Sequence, residues 1–499
     1  MGDIAIVYGK LSNELAWDGF LAHLRTGGEK EPESEPAPPL VAGPPFQGTR
    51  VEEGPALQPR RIRWAVWVVA VPIVLGLVSL AAWAIYYRQV PDQVASVKRM
   101  AHPLPDKPSI AVLPFANLSG DPRDDYISDG LSEQIITSLC SIHRLFVIAR
   151  SSTFVYKGKP VKVQKVAEDL GVQYVLEGSV LKSGDRVRIT AQLVDALTGR
   201  HVWSERYDRE IKDYFKLQDE LTIKILHDLK VELTEGLPVR RYTKKHTANL
   251  KAYEKFNHGV GFYRRFTKPD TETARGMFEE ALALDPDFYN SIVMLGFTHL
   301  NDMRMGWSEN PARSLQKAYE LARKAIALDD AMDSGHSLLG LVYTYRRQYD
   351  LGVAEAERAV ALNPNGAFTL SWAASPVGFA GRWEQSLQYE KQSMRLNPFH
   401  HPMDYVLVGR ACFMMGKYEE SVEALKKAVK LRPNILPGHV LLAAACSSAG
   451  RESEAAATAR EVLRINPRFT LDAHARTLYY KNKADIEREI AALRGAGLR

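Results

Sequence analysis

Hydrophobic positions divide the chain into distinct regimes. From Trp64 to Tyr87 the run WAVWVVAVPIVLGLVSLAAWAIYY holds 24 residues without a charge. Between Ser109 and Tyr207 short apolar runs are broken by turn residues, and part of that stretch alternates with period two. From about residue 250 onward apolar residues recur at helical spacing. The first 63 residues show only fragments of such patterns.

A helix needs roughly 20 apolar residues to cross a bilayer, so the uncharged run predicts a transmembrane helix over 64–87. Trp64, Trp67, Trp83, Tyr86 and Tyr87 lie near its ends, where amphipathic rings prefer the headgroup level. Pro72 and Gly76 are tolerated in such helices. A buried core helix is the alternative. The run starts too far into the chain for a cleaved signal peptide, so it reads as an uncleaved anchor. Arg60, Arg61 and Arg63 crowd one side and Arg88 the other, which favours a cytoplasmic N-terminus. In a wider window Arg50 joins one side, and Lys98, Arg99 and Lys107 join the other, leaving the charge count even.

Residues 27–63 are a proline-rich linker with eight prolines between 28 and 59, a composition that cannot bury enough apolar area to fold. Before it, in 1–26, Trp17, Phe20, Leu21 and Leu24 share one helical face. This short segment reads either as a docking helix or as the remnant of a lost domain. A catalytic domain does not fit in 26 residues.

Residues 88–106 read as a juxtamembrane linker, and 107–235 as a small α/β domain. Ser109–Phe115 and Leu145–Ala149 predict buried strands. Asp129 is a plausible N-cap for a helix burying Leu131, Ile135 and Leu139. Val161–Leu170 predicts a short helix. Tyr174–Lys182 is then a strand, and Val187, Ile189, Ala191 and Leu193 alternate with polar residues, followed by a strand over His201–Tyr207. Such a meander has one covered face and one wet face. A helix over Tyr214–Leu233 closes the unit.

The strings PSIAVLPFANLSGDPRDDYISDGLSEQIITSL, LFVIARSSTFVYKGK and LGVQYVLEGSVLKSGDRVRITAQLVDALTGRHVWSERYDRE resemble the TolB amino-terminal-like (FlgO-like) domain. The resemblance runs from about Lys107 to Leu233. It implies a domain behind a membrane helix in a bacterial envelope protein, commonly followed by tetratricopeptide repeats. Relatives of that kind are labelled adenylate cyclase or CadC-like after a cytoplasmic cyclase or winged-helix domain. Only 63 residues precede the span here, so neither domain is expected.

In the C-terminal half, helix-ending motifs place prolines at Pro286, Pro364, Pro398, Pro433 and Pro467, with gaps of 34, 35 and 34 after Pro364. Asp330 stands in for a proline between the first two, and the extra residues fall near Asn301–Pro311. The period resembles that of tetratricopeptide repeats, and six are expected over 250–467. Gly296, Gly340 and Gly409 fit a Leu-Gly pair on first helices. Ala274, Phe278, Ala281, Ala318, Ala325, Ala359, Ala428 and Ala455 fit the packing positions of second helices. The fourth repeat is degenerate, with Ser386, Glu390 and Ser393 at small positions. Residues 468–499 are expected to cap the array, a helix with Asp485, Glu487, Arg488 and Glu489 on its charged side covering the last open face with Ile486, Ile490 and Leu493. The resemblance implies a groove for a protein or peptide partner. Tyr343 and Tyr405 are candidate lining residues, with packing inside the array as the alternative.

The remaining chemistry is sparse. The net charge of +6 is small for 499 residues and is not concentrated in a basic patch, so no nucleic-acid partner is expected. Cys140, Cys412 and Cys446 form no CxxC pair and read as buried hydrophobes. Asp121, Asp124, Asp125 and Asp129 lack the ligand pattern of a calcium loop and read as a solvated turn with a cap. No metal, cofactor or catalytic residue is expected. The fold class is multidomain: one transmembrane helix, a small α/β domain and an all-α tetratricopeptide-repeat solenoid. The function expected is a non-enzymatic, membrane-anchored interaction scaffold of the bacterial envelope, in the inner membrane with its C-terminal domains periplasmic. The alternatives are a sensor acting with a separate cytoplasmic cyclase or regulator, and a cyclase-related protein without its catalytic domain.

Overall fold

The computed structural model describes residues 94–229 and 247–499. The segments at 1–26, 27–63 and 64–87, with Arg60, Arg61, Arg63, Trp64, Trp67, Trp83, Tyr86, Tyr87 and Arg88, lie outside the described residues. Among those described, no helix is long and apolar enough to cross a membrane.

The α/β domain is built on a mixed sheet. Its strands are β1 (Ser109–Val112), β2 (Ala116–Asn117), β3 (Phe146–Val147), β4 (Tyr174–Ser183), β5 (Arg186–Asp195) and β6 (Arg200–Glu210). The order is β3-β1-β4-β5-β6, with β2 also beside β4. β1 runs parallel to β3 and β4, whereas β4, β5 and β6 form an antiparallel meander. The β4–β5 hairpin turns at Gly184, whose φ of +57° is the left-handed conformation that glycine adopts without a Cβ clash. Helices α1 (Asp125–Cys140), α2 (Val163–Leu170) and α3 (Tyr214–Asp228) cover the sheet. Leu131, Ile135 and Leu139 of α1 and Leu217, Leu221 and Ile225 of α3 share a core with Leu176, Val187, Ile189 and Leu193. Val166, Ala167 and Leu170 of α2 pack with Ala111, Leu113 and Val175.

Asp129 is not a cap. The helix begins at Asp125, one turn before Asp129, because a 3-10 turn at Pro122–Asp124 leads into it, and Asp121 caps that turn by accepting from the Arg123 amide at 2.9 Å. Each carboxylate of the acidic cluster has a cation. Asp121 pairs with Arg123, Asp124 with Lys182, and Asp125 and Asp129 share Lys157.

The C-terminal region is six helix pairs. They are α4 (Leu250–Tyr263) with α5 (Lys268–Leu284), α6 (Tyr289–Arg304) with α7 (Pro311–Leu328), and α8 (Asp333–Tyr345) with α9 (Tyr349–Leu362). Then follow α10 (Ala367–Phe379) with α11 (Trp383–Leu396), α12 (Pro402–Met414) with α13 (Tyr418–Leu431), and α14 (Leu436–Ser448) with α15 (Glu452–Ile465). Pro286, Pro364, Pro398, Pro433 and Pro467 stand just beyond second helices, which a proline cannot continue. Ala274, Phe278, Ala281, Ala318, Ala325, Ala359, Ala428 and Ala455 are buried where helices approach. A Cβ at Gly340 would meet the Gly352 carbonyl, and one at Gly296 or Gly409 would meet Leu338 or Leu425. The extra residues after Asn301 lengthen α6 and form the loop to Pro311.

The small positions of the fourth and fifth repeats are cemented by serine hydroxyls. Ser386 donates to the Ala374 carbonyl at 2.7 Å, Ser393 to Ala367 at 2.8 Å and Ser421 to Gly409 at 2.7 Å. Glu390 lies among them, 3.5 Å from the Ser371 hydroxyl, which donates to it.

The α/β domain and the array share cores. Ala252, Tyr253, Ala281 and Phe288 join the α1–α3 side of the sheet, and Ala367, Leu370 and Leu396 join the α2 side. Gly130 of α1 lies so close to Tyr253 of α4 that no Cβ fits. The Leu396 carbonyl accepts from the Ala149 amide at 2.8 Å, and Asn365 donates to the Ile142 carbonyl at 2.8 Å. Arg395 donates to the carbonyls of Leu170 and Gly171 at the end of α2. Glu133 of α1 pairs with Arg150 at 2.9 Å and with Arg264, at the end of α4, at 2.6 Å. Burial opposes the charge on Glu133, but the two guanidiniums outweigh it and hold its carboxyl below the usual range.

Burial, and then the nearby Asp404, push the Glu390 carboxyl up from 4.5 to about 8. The folded state therefore binds an extra proton between these values. The stability it contributes is full below the unfolded pKa and is lost as pH rises toward 8. Glu390→Gln is expected to raise stability above that value by roughly 1–3 kcal/mol, with little change in acid. Urea unfolding of both chains on either side of the transition checks this, and the reverse pH order contradicts it.

Candidate inner face of the repeat array

A surface helix buries one stripe and leaves the rest wet. Several first helices of this array depart from that. Residues 295–302 of α6, 335–342 of α8 and 438–446 of α14 are buried without a break, which takes neighbours on every side. In the middle repeats part of that cover comes from the array itself. Trp372 of α10 lies against Phe297 of α6 with ring centroids 4.2 Å apart, and Phe368 follows at 5.9 Å from Trp372. Phe368 is 51% exposed and extends this aromatic strip to solvent.

In the last three repeats the cover is the C-terminal segment. It holds a short helix, α16 (Leu471–Arg476), and a longer one, α17 (Lys483–Gly495). The segment doubles back along the array. The Leu478 carbonyl accepts from Arg347 at 3.5 Å, and the Tyr480 carbonyl from the Tyr349 hydroxyl at 3.3 Å. The Lys481 amide donates to the Phe379 carbonyl at 2.8 Å, and its ammonium pairs with Asp350 at 2.8 Å. From there α17 runs past Trp383, whose indole donates to Asp485 at 3.3 Å. It passes the end of α12, where Arg488 donates to the Met414 carbonyl at 2.6 Å, and reaches Ser447 at the end of α14, where Gly495 leaves no room for a Cβ. The Arg499 carbonyl accepts from the Leu471 amide at 2.9 Å and closes the segment on itself.

The face that α17 presents differs from the one expected. Asp485 and Glu489 do not lie on a polar outer side but are 6% and 1% exposed. Ile486 and Ile490 are only partly buried, whereas Ala492 and Leu493 share the inward face. The acids turn inward because their partners are there. Glu489 accepts from the Tyr480 hydroxyl at 2.6 Å and pairs with His474 at 2.8 Å. Burial opposes the charge on Glu489, but His474, with Arg410 of α12 and Tyr480, outweighs it and holds the carboxyl below the usual range. Tyr480 packs edge-on against Phe379 and Trp383, each at 5.5 Å. The segment thus covers the first-helix side of repeats four to six through buried polar groups as well as apolar ones.

Tyr343 packs against Tyr319 of the preceding repeat at 6.1 Å. Tyr405 sits between His400, at 5.3 Å, and the Lys427 ammonium, at 5.9 Å. Both serve packing within the array. Cys140, Cys412 and Cys446 are buried free thiols, and burial pushes Cys140 up to about 12. Sequence reasoning missed Arg410, His474 and Tyr480. The available signal was the stripe Asp485, Glu489, Ala492, Leu493 and Ala496 at helical spacing, which places two acids on an otherwise apolar face.

These helix pairs make the C-terminal region a tetratricopeptide-repeat solenoid, and a family model of that repeat matches residues 405–435. The α/β domain matches a model described as the second domain of HilA/YgeH-like transcriptional regulators, over residues 106–224. A Rhizobium meliloti (strain 1021) protein named putative adenylate cyclase 3 is 42% identical over 256 residues, which is 51% of this chain and 43% of the relative. The transcriptional regulator HilA of Salmonella typhimurium (strain LT2) is 21% identical over 309 residues, 59% of this chain and 52% of the relative. The chain therefore spans about half, or less, of the length of these curated relatives. Among solved structures, a thermophilic TPR protein of Thermus thermophilus covers 39% of this chain and 98% of its own, at 18% identity and a TM-score of 0.32. The pilF protein of Pseudomonas aeruginosa covers 44% and 94%, at 16% identity and a TM-score of 0.34.

Because the Glu489 pKa is depressed, its contribution is present at neutral pH and is lost as pH falls through the folded pKa, below the ordinary carboxylate range. Glu489→Gln is expected to weaken the docking of α17 at pH 7 by roughly 1–3 kcal/mol. Limited trypsin digestion reads this as faster cleavage at Lys481 and Lys483. Unchanged cleavage contradicts a docking role for Glu489.

Proposed function

We propose that this protein is a membrane-anchored interaction scaffold of the bacterial envelope whose repeat array and α/β domain bind a partner protein. One observation carries the reading. The first-helix side of repeats four to six already holds an amphipathic helix, α17, by matched hydrogen bonds and apolar contacts. A surface built to seat a helix is the helix-in-groove mode of protein recognition. The exposed ring of Phe368 offers a neighbouring point of contact. Anchoring rests on the uncharged run 64–87 and its terminal aromatic residues. The resemblance of residues 107–233 to the TolB amino-terminal-like domain supports an envelope location, with the N-terminus cytoplasmic and the C-terminal domains periplasmic. No cofactor and no nucleic acid enter this function, and it requires no catalysis.

A second reading has its own support. The chain is similar to one relative named putative adenylate cyclase and to another named transcriptional regulator, each matched over about half of its length or less. In this reading the module senses a partner for a cyclase or regulator on the other side of the membrane.

Photo-crosslinkers placed at Phe368 and, as a control, at Leu463, exposed on the second helix α15, test the scaffold reading in cells. A discrete protein adduct from position 368 alone is expected. Adducts that are absent or identical at both positions contradict it. For anchoring, Leu75→Lys is expected to release the chain from carbonate-washed membranes, and a periplasm-active phosphatase fused after residue 240 is expected to be active. An inactive fusion contradicts the orientation.

A further inference from the structure

We propose that residues 471–499 are a displaceable internal ligand that keeps the first-helix side of repeats four to six closed. The partner that competes for it is a helix carrying a carboxylate where Asp485 stands, followed by a small apolar face. This deepens the interaction reading above and rests on it.

The path of the segment is the first ground. A cap needs only to cover the outer side of the last repeat. This segment instead reaches back to Arg347, Tyr349 and Asp350 in the third repeat before α17 returns to Ser447 in the sixth. It crosses several repeats, as a bound ligand does.

The chemistry of the contact is the second. Buried ionic groups add selectivity more than net stability, because desolvation offsets much of the attraction. Withdrawing α17 takes Asp485 from the Trp383 indole, while Tyr480 and His474, the partners of Glu489, leave with the segment. A purely apolar helix would leave the indole donor unmet, whereas one with a carboxylate at that place would satisfy it. Specificity for an acidic helix is thereby written into the array. The segment is also suited to release. A helix of 13 residues such as α17 is marginal in water, so outside the array it loses its structure.

The third ground is Arg347. At the turn between first and second helices, Gly381, Gly416 and Gly450 hold the same repeat position, all with positive φ. Arg347 adopts φ +59° there without being glycine, a left-handed conformation that its Cβ disfavours. Its guanidinium reaches the Leu478 carbonyl and lies 5.4 Å from the centre of the Tyr479 ring. Of the two non-glycine residues with positive φ among those described, Phe266 and Arg347, Arg347 is the one that holds the returning segment. Arg347→Gly therefore relieves the backbone while removing a contact to the segment, which separates docking from folding.

The test uses the full chain in detergent and a fluorescent peptide with the sequence of residues 471–499. The peptide is titrated into the wild-type chain, the Arg347→Gly Glu489→Gln double variant, and a chain ending at Phe469. Affinity for the double variant and the truncated chain is expected to exceed that for the wild type by about tenfold or more. A peptide in which Asp485 is replaced by leucine (D485L), which removes the acceptor for the Trp383 indole, is expected to bind more weakly by about tenfold or more. Equal affinity for wild type and double variant, or undiminished competition by the D485L peptide, overturns the proposal. Loss of helical circular dichroism across the array in the truncated chain also overturns it, because the segment would then be part of the fold. Absence of a crosslinked partner at position 368, with these peptide results intact, would instead count against the scaffold reading alone.

Discussion

The turns that join one repeat to the next are the point on which the described structure depends. Each turn leaves backbone groups and a few apolar side chains that a bare solenoid would give to water. Here the α/β domain covers several of them. Arg395 places its charge at the end of α2, where the Leu170 and Gly171 carbonyls have no partner within the helix. A cation at that terminus satisfies the orphaned acceptors and suits the helix dipole. Asn365 does the same for the Ile142 carbonyl after α1, and Asn397 accepts from the Ser151 and Ser152 hydroxyls. Leu396 shows the apolar side of this rule. It is 4% exposed against the α/β domain, whereas Leu431, at the corresponding place one repeat later, is 57% exposed.

A sheet domain fused in this way to helical repeats ties several repeat turns to one sheet, through Leu396, Asn365 and Arg395. Trp372 also approaches Phe297 across the intervening repeat. It closes the middle of the array and leaves the later repeats to receive a helix. The segment 471–499 takes that place, so the surface with the most recognition chemistry is also the one the chain covers itself.

Much of the fold was legible because it is periodic. Alternation over Val187–Leu193 marks β5, and prolines about 34 residues apart mark the ends of second helices. What was not legible depends on single long-range pairs. Glu133 meets Arg264 across 131 positions, and Trp383 meets Asp485 across 102. The first pair leaves no trace in local hydrophobicity, and the charges around Asp485 and Glu489 obscure the apolar stripe they share with Ala492, Leu493 and Ala496, so both acids read as a solvated face. Asp129 looked like a cap because its partner, Lys157, lies in a turn with no visible link to it. The start of α1 was displaced for a related reason, since Pro122 at the head of a 3-10 turn begins the helical path earlier.

The central claim is that the α/β domain and the array up to α11 form one cooperative unit held at the repeat turns. Native-state hydrogen exchange on the full chain, at rising denaturant, tests it most directly. Amides of β4 and α2 are expected to open with the same free energy and denaturant dependence as those of α10 and α11. Sheet amides that stay protected after α10 and α11 have opened would contradict the account.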